Sequence, residues 1–458
     1  MSGFLLAQPV TCGLIMQARL RTVSLGFVVA VVIAAAVGLS RSIEPVTIAA
    51  ETLQAAGPLQ WYRGNMHTHS LWSDGDDFLE MIGRWYRDHS YNFLVYTDHN
   101  TLANKERWVE VEKLKSGRQS FDKLKTAFPA GWVEERMKLD EKTNVSKQEV
   151  RLKRFDEVFA KLAVKDKFLL IQGEEITDKL GKLPIHMNAH NVKEAVPPLG
   201  GASVTEVMQN NVNAVIAQRE RTKQPMFVHL NHPNFHYGIT AEDLAPVRGE
   251  NFFEVYNGHP GVNNNGDDTH ASCERIWDII NTKRLTELDL PVMYGLATDD
   301  GHNYHTIPSR SAEPGRGWVM VLASSLTATS LIESMEAGRF YASSGVTLEK
   351  VEATAKSLSI TIRPDADATY TIEFIGTRKG VSTQSEPIRD KSGNEVRATR
   401  KYSPDIGQVL KSSAATTASY DFQSDELYVR ARVTSSRPHP NPSAIGEPER
   451  AWTQPVRP

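Results

Sequence analysis

Asn92-Phe93-Leu94-Val95-Tyr96-Thr97-Asp98-His99-Asn100 is the stretch that decides the fold. Its apolar centre, part aromatic and part β-branched, predicts a buried strand over Asn92–Thr97, and an acid and an imidazole stand directly after it. The arrangement recurs. Strands are predicted at Phe168–Gln172, Met226–Leu230, Phe252–Tyr256 and Val292–Ala297, with motifs rich in His and carboxylate at or just past their ends. Between them Phe78–Arg87, Ser203–Arg219, Ala271–Thr282 and Thr327–Ala337 carry the apolar spacing of helices. Strands alternating with helices predict an α/β fold with a parallel sheet, open or closed into a barrel. In a barrel the C-terminal ends of the strands carry the chemistry, and the polar motifs sit there.

Five motifs supply that chemistry. The first is Asn65-Met66-His67-Thr68-His69-Ser70-Leu71-Trp72-Ser73-Asp74-Gly75. In an extended segment the two imidazoles of His-x-His share a face, because side chains alternate with period two. Such a pair suits Zn, Mn or Fe, and Asp74 adds an oxygen ligand. The second motif is Thr97-Asp98-His99. The third is Gly173-Glu174-Glu175, followed by Ile185-His186-Met187-Asn188-Ala189-His190. The fourth is His229-Leu230-Asn231-His232-Pro233, and the fifth is Asp299-Asp300-Gly301-His302. One His-x-His is weak evidence, but five such clusters at strand ends are not scattered core histidines.

Composition bounds the alternatives. The chain has 458 residues, enough for one large domain and a smaller one, and its net charge of −3 gives no overall pull towards nucleic acid or anionic lipid. Two cysteines, Cys12 and Cys273, cannot make a disulfide framework, and Cys273 is expected as a buried, inert thiol. Arg19 and Arg21 precede an uncharged run over Val23–Leu39, read as a signal or membrane anchor that directs export to a periplasmic or extracellular location. Residues 1–58 are therefore expected to be signal or anchor plus linker. Residues 105–167 hold 17 Lys and Arg against 12 Asp and Glu and read as a helical insertion, either a solvated surface or a lid. From about Thr347, Leu358–Ile362, Tyr370–Ile375, Ala418–Phe422 and Leu427–Val433 predict a small antiparallel β domain over 347–458, with a proline-rich tail from Ser436.

The order His-x-His, Ser-Asp-Gly, Asp-His, Gly-x-Glu, His, Asn-His-Pro, Asp-x-His resembles the polymerase and histidinol phosphatase (PHP) superfamily, over Trp61 to about Gly345. The resemblance implies a distorted (β/α)7 barrel over 59–346 with two or three divalent ions, Mn, Fe or Zn. Carried over by residue, one ion would be held by His67, His69, Glu175 and Asp300. A second would share Glu175 and take His186 and His232, and a third would use Asp74, His99 and His302. Glu175 fits Gly-x-Glu better than Glu174, and His186 fits better than His190. Glu254 is expected to support a ligand rather than be one. The Ile-His-Met-Asn-Ala segment is similar to the branch that includes carbaryl hydrolases, from which Ile185 and His190 depart.

Asp300 and Asp98 are the candidate catalytic carboxylates, Asp98 by orienting an imidazole. His259, His305 and Arg310 are candidates to line a substrate pocket, and Trp72, Trp318 and Tyr304 could shape an apolar one. Cations held by imidazoles and carboxylates would lower the pKa of a water, so no protein nucleophile is needed. The chain has no Gly-x-Ser-x-Gly elbow, Walker-A loop or dinucleotide fingerprint. The expected activity is hydrolysis of a small-molecule ester, first a phosphoester, next a carbamate or carboxyl ester. An exported binding protein with an inert barrel is the alternative of another class.

Overall fold

The computed structural model describes residues 58–458. β1 (Gln60–Asn65) leads into the His67–His69 segment, and α1 (Leu79–Asp88) returns the chain to β2 (Phe93–Tyr96), parallel to β1. All four residues of β2 are buried, which accounts for its unbroken apolar run. An insertion follows, made of β3 (Arg107–Glu110), α2 (Arg118–Ala127), β4 (Glu135–Asp140), β5 (Val145–Leu152) and α3 (Phe155–Leu162). The main sheet resumes with β6 (Leu169–Leu180) and β7 (Leu183–His190), joined as an antiparallel pair. Then come α4 (Val204–Thr222), β8 (Phe227–Leu230), α5 (Ala241–Leu244), β9 (Phe252–Asn257), α6 (Cys273–Thr286) and β10 (Tyr294–Thr298). β11 (Trp318–Ala323), α7 (Ala328–Glu336) and β12 (Phe340–Ser343) complete this part.

The strand order is β10-β9-β8-β7-β6-β2-β1-β11-β12, continued by C-terminal strands. β1, β2 and β6 run parallel, as do β8, β9 and β10, while β7 is antiparallel to both neighbours. Just past the ends of β1 and β10, Thr68 bridges Gly301, and the His69 N–H donates to the Gly301 carbonyl at 3.0 Å. That contact brings the first and fifth motifs together.

The four helices foreseen in the sequence form where their apolar spacing puts them. α4 is capped by the Ser203 side chain, which accepts from Glu206 N–H, and ends at Lys223 in the left-handed region. β7 lay unread in the His186–His190 motif. Ile185, Met187 and Ala189 pack into the core on one face, and His186, Asn188 and His190 take the other. Its period of two is plain once both faces are known to be occupied.

The insertion at 104–167 is not helical throughout. β3, β5 and β4 form a three-stranded antiparallel sheet beside α2 and α3. Its charged residues pair across strands, Arg136 with Glu149 at 2.6 Å and Lys147 with Asp140 at 2.6 Å, so a composition that suits a solvated helix here decorates a sheet. Phe121, Leu124, Val150, Leu152 and Val158 pack with Tyr96 and Ile82, which fixes the insertion to the main body.

The C-terminal strands are β13 (Leu348–Ala353), β14 (Ser357–Ile362), β15 (Tyr370–Arg378), β16 (Ser385–Glu386), β17 (Lys401–Tyr402), β18 (Gln408–Ser413), β19 (Thr417–Asp421), β20 (Glu426–Pro438) and β21 (Pro448–Thr453). The four strands foreseen there form. The proline-rich tail folds back as β21 between β12 and β20, so β21, β20, β15 and β18 share one sheet with β1 and β2, while β13, β14 and β19 form a separate three-stranded sheet and β16 pairs with β17. Among the described residues no helix is long and apolar enough to cross a membrane. The Val23–Leu39 run and Cys12 lie outside the described residues.

Glu250, just before β9, is buried with one carboxyl oxygen unbonded, and burial pushes its carboxyl up from 4.5 to about 8. The unfolded chain releases this proton near pH 4.5 and the folded chain near pH 8. Between those values the folded state holds the extra proton, so stability falls by about 1.4 kcal/mol per pH unit from this group alone. Glu250→Gln removes that slope. Its melting temperature relative to the parent protein is expected to climb from pH 5 to about pH 8 and to level off above that, and parallel curves would refute the assignment.

Candidate metal centre

His67, His69, Glu175 and Asp300 converge just past the ends of β1 and β10 and at the middle of β6. His67 Nε2 lies 3.3 Å from Glu175 Oε2 and 3.2 Å from Asp300 Oδ1, and His69 Nε2 lies 3.1 Å from each of the same oxygens. Ligands held tetrahedrally at about 2.0–2.1 Å from an ion stand roughly 3.3 Å apart. His67 Nε2, His69 Nε2 and Glu175 Oε2 are buried and have no hydrogen-bond partner. Buried polar atoms are rarely left so, and these face one another, which fits a shared cation.

The other face of Glu175 builds a second group. Its Oε1 lies 3.0 Å from His186 Nδ1 and 3.5 Å from His232 Nε2, and accepts from Asn231 Nδ2 at 2.8 Å. His232 Nε2 also stands 3.9 Å from Asp300 Oδ2. A third group gathers on the exposed Asp74, whose Oδ1 is 3.4 Å from His302 Nε2, 3.6 Å from His99 Nε2 and 3.5 Å from His69 Nδ1. The structure thus adds His69 to the trio foreseen from the sequence, and its ring stacks on His302 at 4.0 Å. His99 Nδ1 is 2.9 Å from Glu175 Oε2, so the third group touches the first.

The residues around these groups hold them in specific orientations. Glu254 accepts from His67 Nδ1 at 2.7 Å, His232 N–H at 2.8 Å, Asn257 Nδ2 at 2.7 Å, Thr298 Oγ1 at 2.8 Å and His229 Nε2 at 3.2 Å. A proton held on His67 Nδ1 turns its Nε2 lone pair to the cluster. Behind Glu254, His229 Nδ1 meets His190 Nε2 at 2.8 Å, which is where His190 goes instead of the metal centre. Asp300 has φ +50°, an uncommon backbone for a non-glycine residue. It is held there because Asp299 is pinned by Tyr86 OH at 2.7 Å, Arg316 N–H at 2.6 Å and Gly317 N–H at 2.8 Å. Glu174 turns away and accepts from Val196 N–H.

Asp98 does not orient an imidazole. Its oxygens accept from Ser70 N–H at 2.8 Å, Ser70 Oγ at 2.7 Å and Ser73 Oγ at 2.6 Å. It therefore pins the loop that carries His69 and Asp74. Of the pocket candidates, His259 stands beside the site, its ring 5.4 Å from that of His302. His305 is engaged with the Asp76 carbonyl at 3.0 Å, and Arg310 is exposed on its loop, so neither joins the cluster. Trp72, Trp318 and Tyr304 are buried in the core rather than lining an apolar pocket. Cys273 is a free, buried thiol.

Charge follows from this packing. Burial would raise the carboxyls of Glu175 and Asp300, but the surrounding imidazoles hold both well below the usual range. Burial lowers His259 to about 4, so it stands neutral at the edge of the site. Burial would lower the imidazoles of His67, His69, His99 and His232, but the carboxylates of Glu175 and Asp300 raise all four, so they hold protons where a divalent cation would take their place on binding.

These features define a class, a chain with His and carboxylate groups able to hold more than one divalent ion. No family model matches the chain, and no curated protein matches it. Among solved structures, it is similar to a two-domain protein from Bacteroides vulgatus containing a predicted PHP-like metal-dependent phosphoesterase, at 17% identity and TM-score 0.33, covering 86% of this chain and 95% of that one. It is also similar to a proposed metal-dependent phosphoesterase from Bifidobacterium adolescentis, at 12% identity and TM-score 0.28, covering 59% of this chain and 95% of that one. Similarity at this level fixes neither fold nor activity.

Proposed function

We propose that this chain is a metal-dependent hydrolase of phosphoesters, built on a distorted (β/α)7 barrel of the PHP type. The observation that carries the reading is the set of buried, mutually facing and unbonded atoms His67 Nε2, His69 Nε2 and Glu175 Oε2, with Asp300 Oδ1 beside them. The order of the motifs along the chain supports the superfamily. The Thr68–Gly301 bridge supports closure of β1, β2 and β6 to β10 into a barrel.

In this reading His67, His69, Glu175 and Asp300 hold one divalent ion, and Glu175, His186 and His232 a second. Asp74, His99, His302 and His69 surround a third. Mn, Fe and Zn all suit such nitrogen and oxygen donors. When bound, such ions lower the pKa of water and neutralise charge on the scissile group. The chain's own residues do the rest. Glu254 keeps the proton on His67 Nδ1, Glu175 spans the first two groups, and the exposed Asp74 marks the side from which a substrate enters. A barrel over 59–346 would then carry the chemistry.

One observation favours a carbamate or carboxyl ester instead. The Phe235 ring lies 5.1 Å from His232 and 6.1 Å from both His186 and His259, an apolar surface over the second group. The test measures kcat/KM for p-nitrophenyl phosphate, bis(p-nitrophenyl) phosphate and naphthyl methylcarbamate at matched metal loading. At least two divalent ions per chain and a faster phosphoester are expected. Turnover of the carbamate alone installs the second reading, and no turnover on a fully loaded chain favours the binding protein. We further propose that Val23–Leu39 directs export, which fails if a reporter fused after Ala50 stays in the cytoplasm.

A further inference from the structure

We propose that a cavity of about 380 Å³ beside Asp74, flanked by Arg107 and Lys115 of the insertion, binds a second anionic group of the substrate. This rests on the phosphoester reading of the metal centre, which Asp74 also borders. Arg107 Nη1 donates to the Trp72 carbonyl and Lys115 Nζ to the Asp74 carbonyl. Both cations are thereby tied to the loop that presents Asp74, although they belong to the insertion.

Arg107, Lys113 and Lys115 line this cavity together with Asp74, Glu110 and Glu149, but two of the three carboxylates are already paired. Glu110 is taken by Lys113 at 2.9 Å, and Glu149 by Arg136 at 2.6 Å. Among the described residues, Arg107 and Lys115 form no ion pair with a carboxylate. Each spends one donor on a backbone carbonyl, leaving the rest of the guanidinium fork and of the ammonium free. A planar fork beside a point charge suits a phosphoryl or carboxylate group. The carboxylate that borders the cavity without a cation of its own is Asp74, whose charge faces His69, His99 and His302. An oxyanion here meets two cations while the ester lies over the neighbouring centre. The substrate class is therefore a phosphoester carrying a second anionic group, phosphate or carboxylate, a short chain away from the scissile bond.

The test measures binding by calorimetry on the metal-loaded chain, with methylphosphonate, propane-1,3-bisphosphonate and 3-phosphonopropanoate as probes. One good charge-assisted contact corresponds to about tenfold in affinity, so the doubly anionic probes should bind at least about tenfold tighter than methylphosphonate. The two of them tell phosphate from carboxylate as the preferred second group. Arg107→Gln combined with Lys115→Gln should erase the advantage while methylphosphonate binding changes less than about twofold. Lys115→Gln alone, at an exposed position, should reduce it if the Arg107 change harms folding. Lys165→Gln should leave it intact. An advantage that survives the double change, or that is absent in the parent protein, overturns the subsite. If methylphosphonate fails to bind, and His67→Ala changes nothing for any probe, the metal-centre reading fails instead. Loss of probe binding in the Arg107 and Lys115 variants would still identify the subsite in that case.

Discussion

Replacing His67 with alanine, or Asp300 with asparagine, is expected to lower kcat/KM by at least about a thousandfold while the chain stays folded. Both residues face the first ligand group, and Asp300 Oδ1 is within 3.2 Å of both imidazoles of the His-x-His pair. Losing one ligand from such a group removes several kcal/mol of charge stabilisation, and each 1.36 kcal/mol is about tenfold in rate. The fold should survive because neither side chain is a structural keystone. Glu254 keeps four other donors when His67 is gone, and Asp299 rather than Asp300 carries the hydrogen bonds that fix the β10 loop. Asp300→Asn also keeps the volume. Bound metal per chain should fall alongside activity, which separates ligand loss from misfolding. His270→Ala, where the ring stacks on Tyr237 at 3.5 Å and pairs with Asp267, should leave kcat/KM unchanged. Activity within tenfold of the parent protein in His67→Ala would mean that the first group is wrongly assigned.

The meeting of these side chains could be anticipated because their residues obey local rules. Asp98-His99 follows a four-residue buried strand, and His67 and His69 share a face as period-two side chains should. The choice of Glu175 over Glu174 also agrees with the geometry, since successive strand residues point to opposite faces and Glu174 meets Val196 instead. Asp98 was misread because its neighbours in sequence are candidate ligands, while its partners Ser70 and Ser73 sit 28 and 25 residues away. The relay from Glu254 through His229 to His190 was present in His-Leu-Asn-His, where His229 and Asn231 alternate inwards, but only the neighbouring strand identifies what they face. The insertion was misjudged on composition. Lys, Arg, Glu and Asp serve a solvated helix or a sheet edged with ion pairs equally well, and register decides between them. The placement of β21 could not be read locally at all, because its partners β12 and β20 are set by long-range pairing.

That long-range pairing makes Arg430 on β20 a second position of large expected effect. Arg430 is buried and grips Asp278 of α6 with Nε at 2.9 Å and Nη2 at 2.7 Å, its guanidinium 4.7 Å from the centre of the Trp277 ring. Tyr428 OH also donates to Asp278 Oδ1 at 2.7 Å, and Arg432 holds Glu274 at 3.1 Å. Alanine at 430 leaves Asp278 buried with the tyrosine as its remaining side-chain donor. Breaking a buried pair in this way costs about 3–5 kcal/mol, because the surviving charge is uncompensated. For a folded body of this size that corresponds to a fall of roughly 5 °C in melting temperature. Removing both charges, as in Arg430→Met with Asp278→Leu, should recover most of the loss, since an apolar pair needs no partner. Residues 347–458 were expected as a separate small domain, and this pair tests that boundary. β20 and β21 lie in one sheet with β12, and the described residues belong to one compact unit. A single cooperative transition, shifted downwards as a whole, is therefore expected for Arg430→Ala. Two transitions, with the C-terminal strands melting first and the metal-loaded part unmoved, would show that the strands fold as a module of their own.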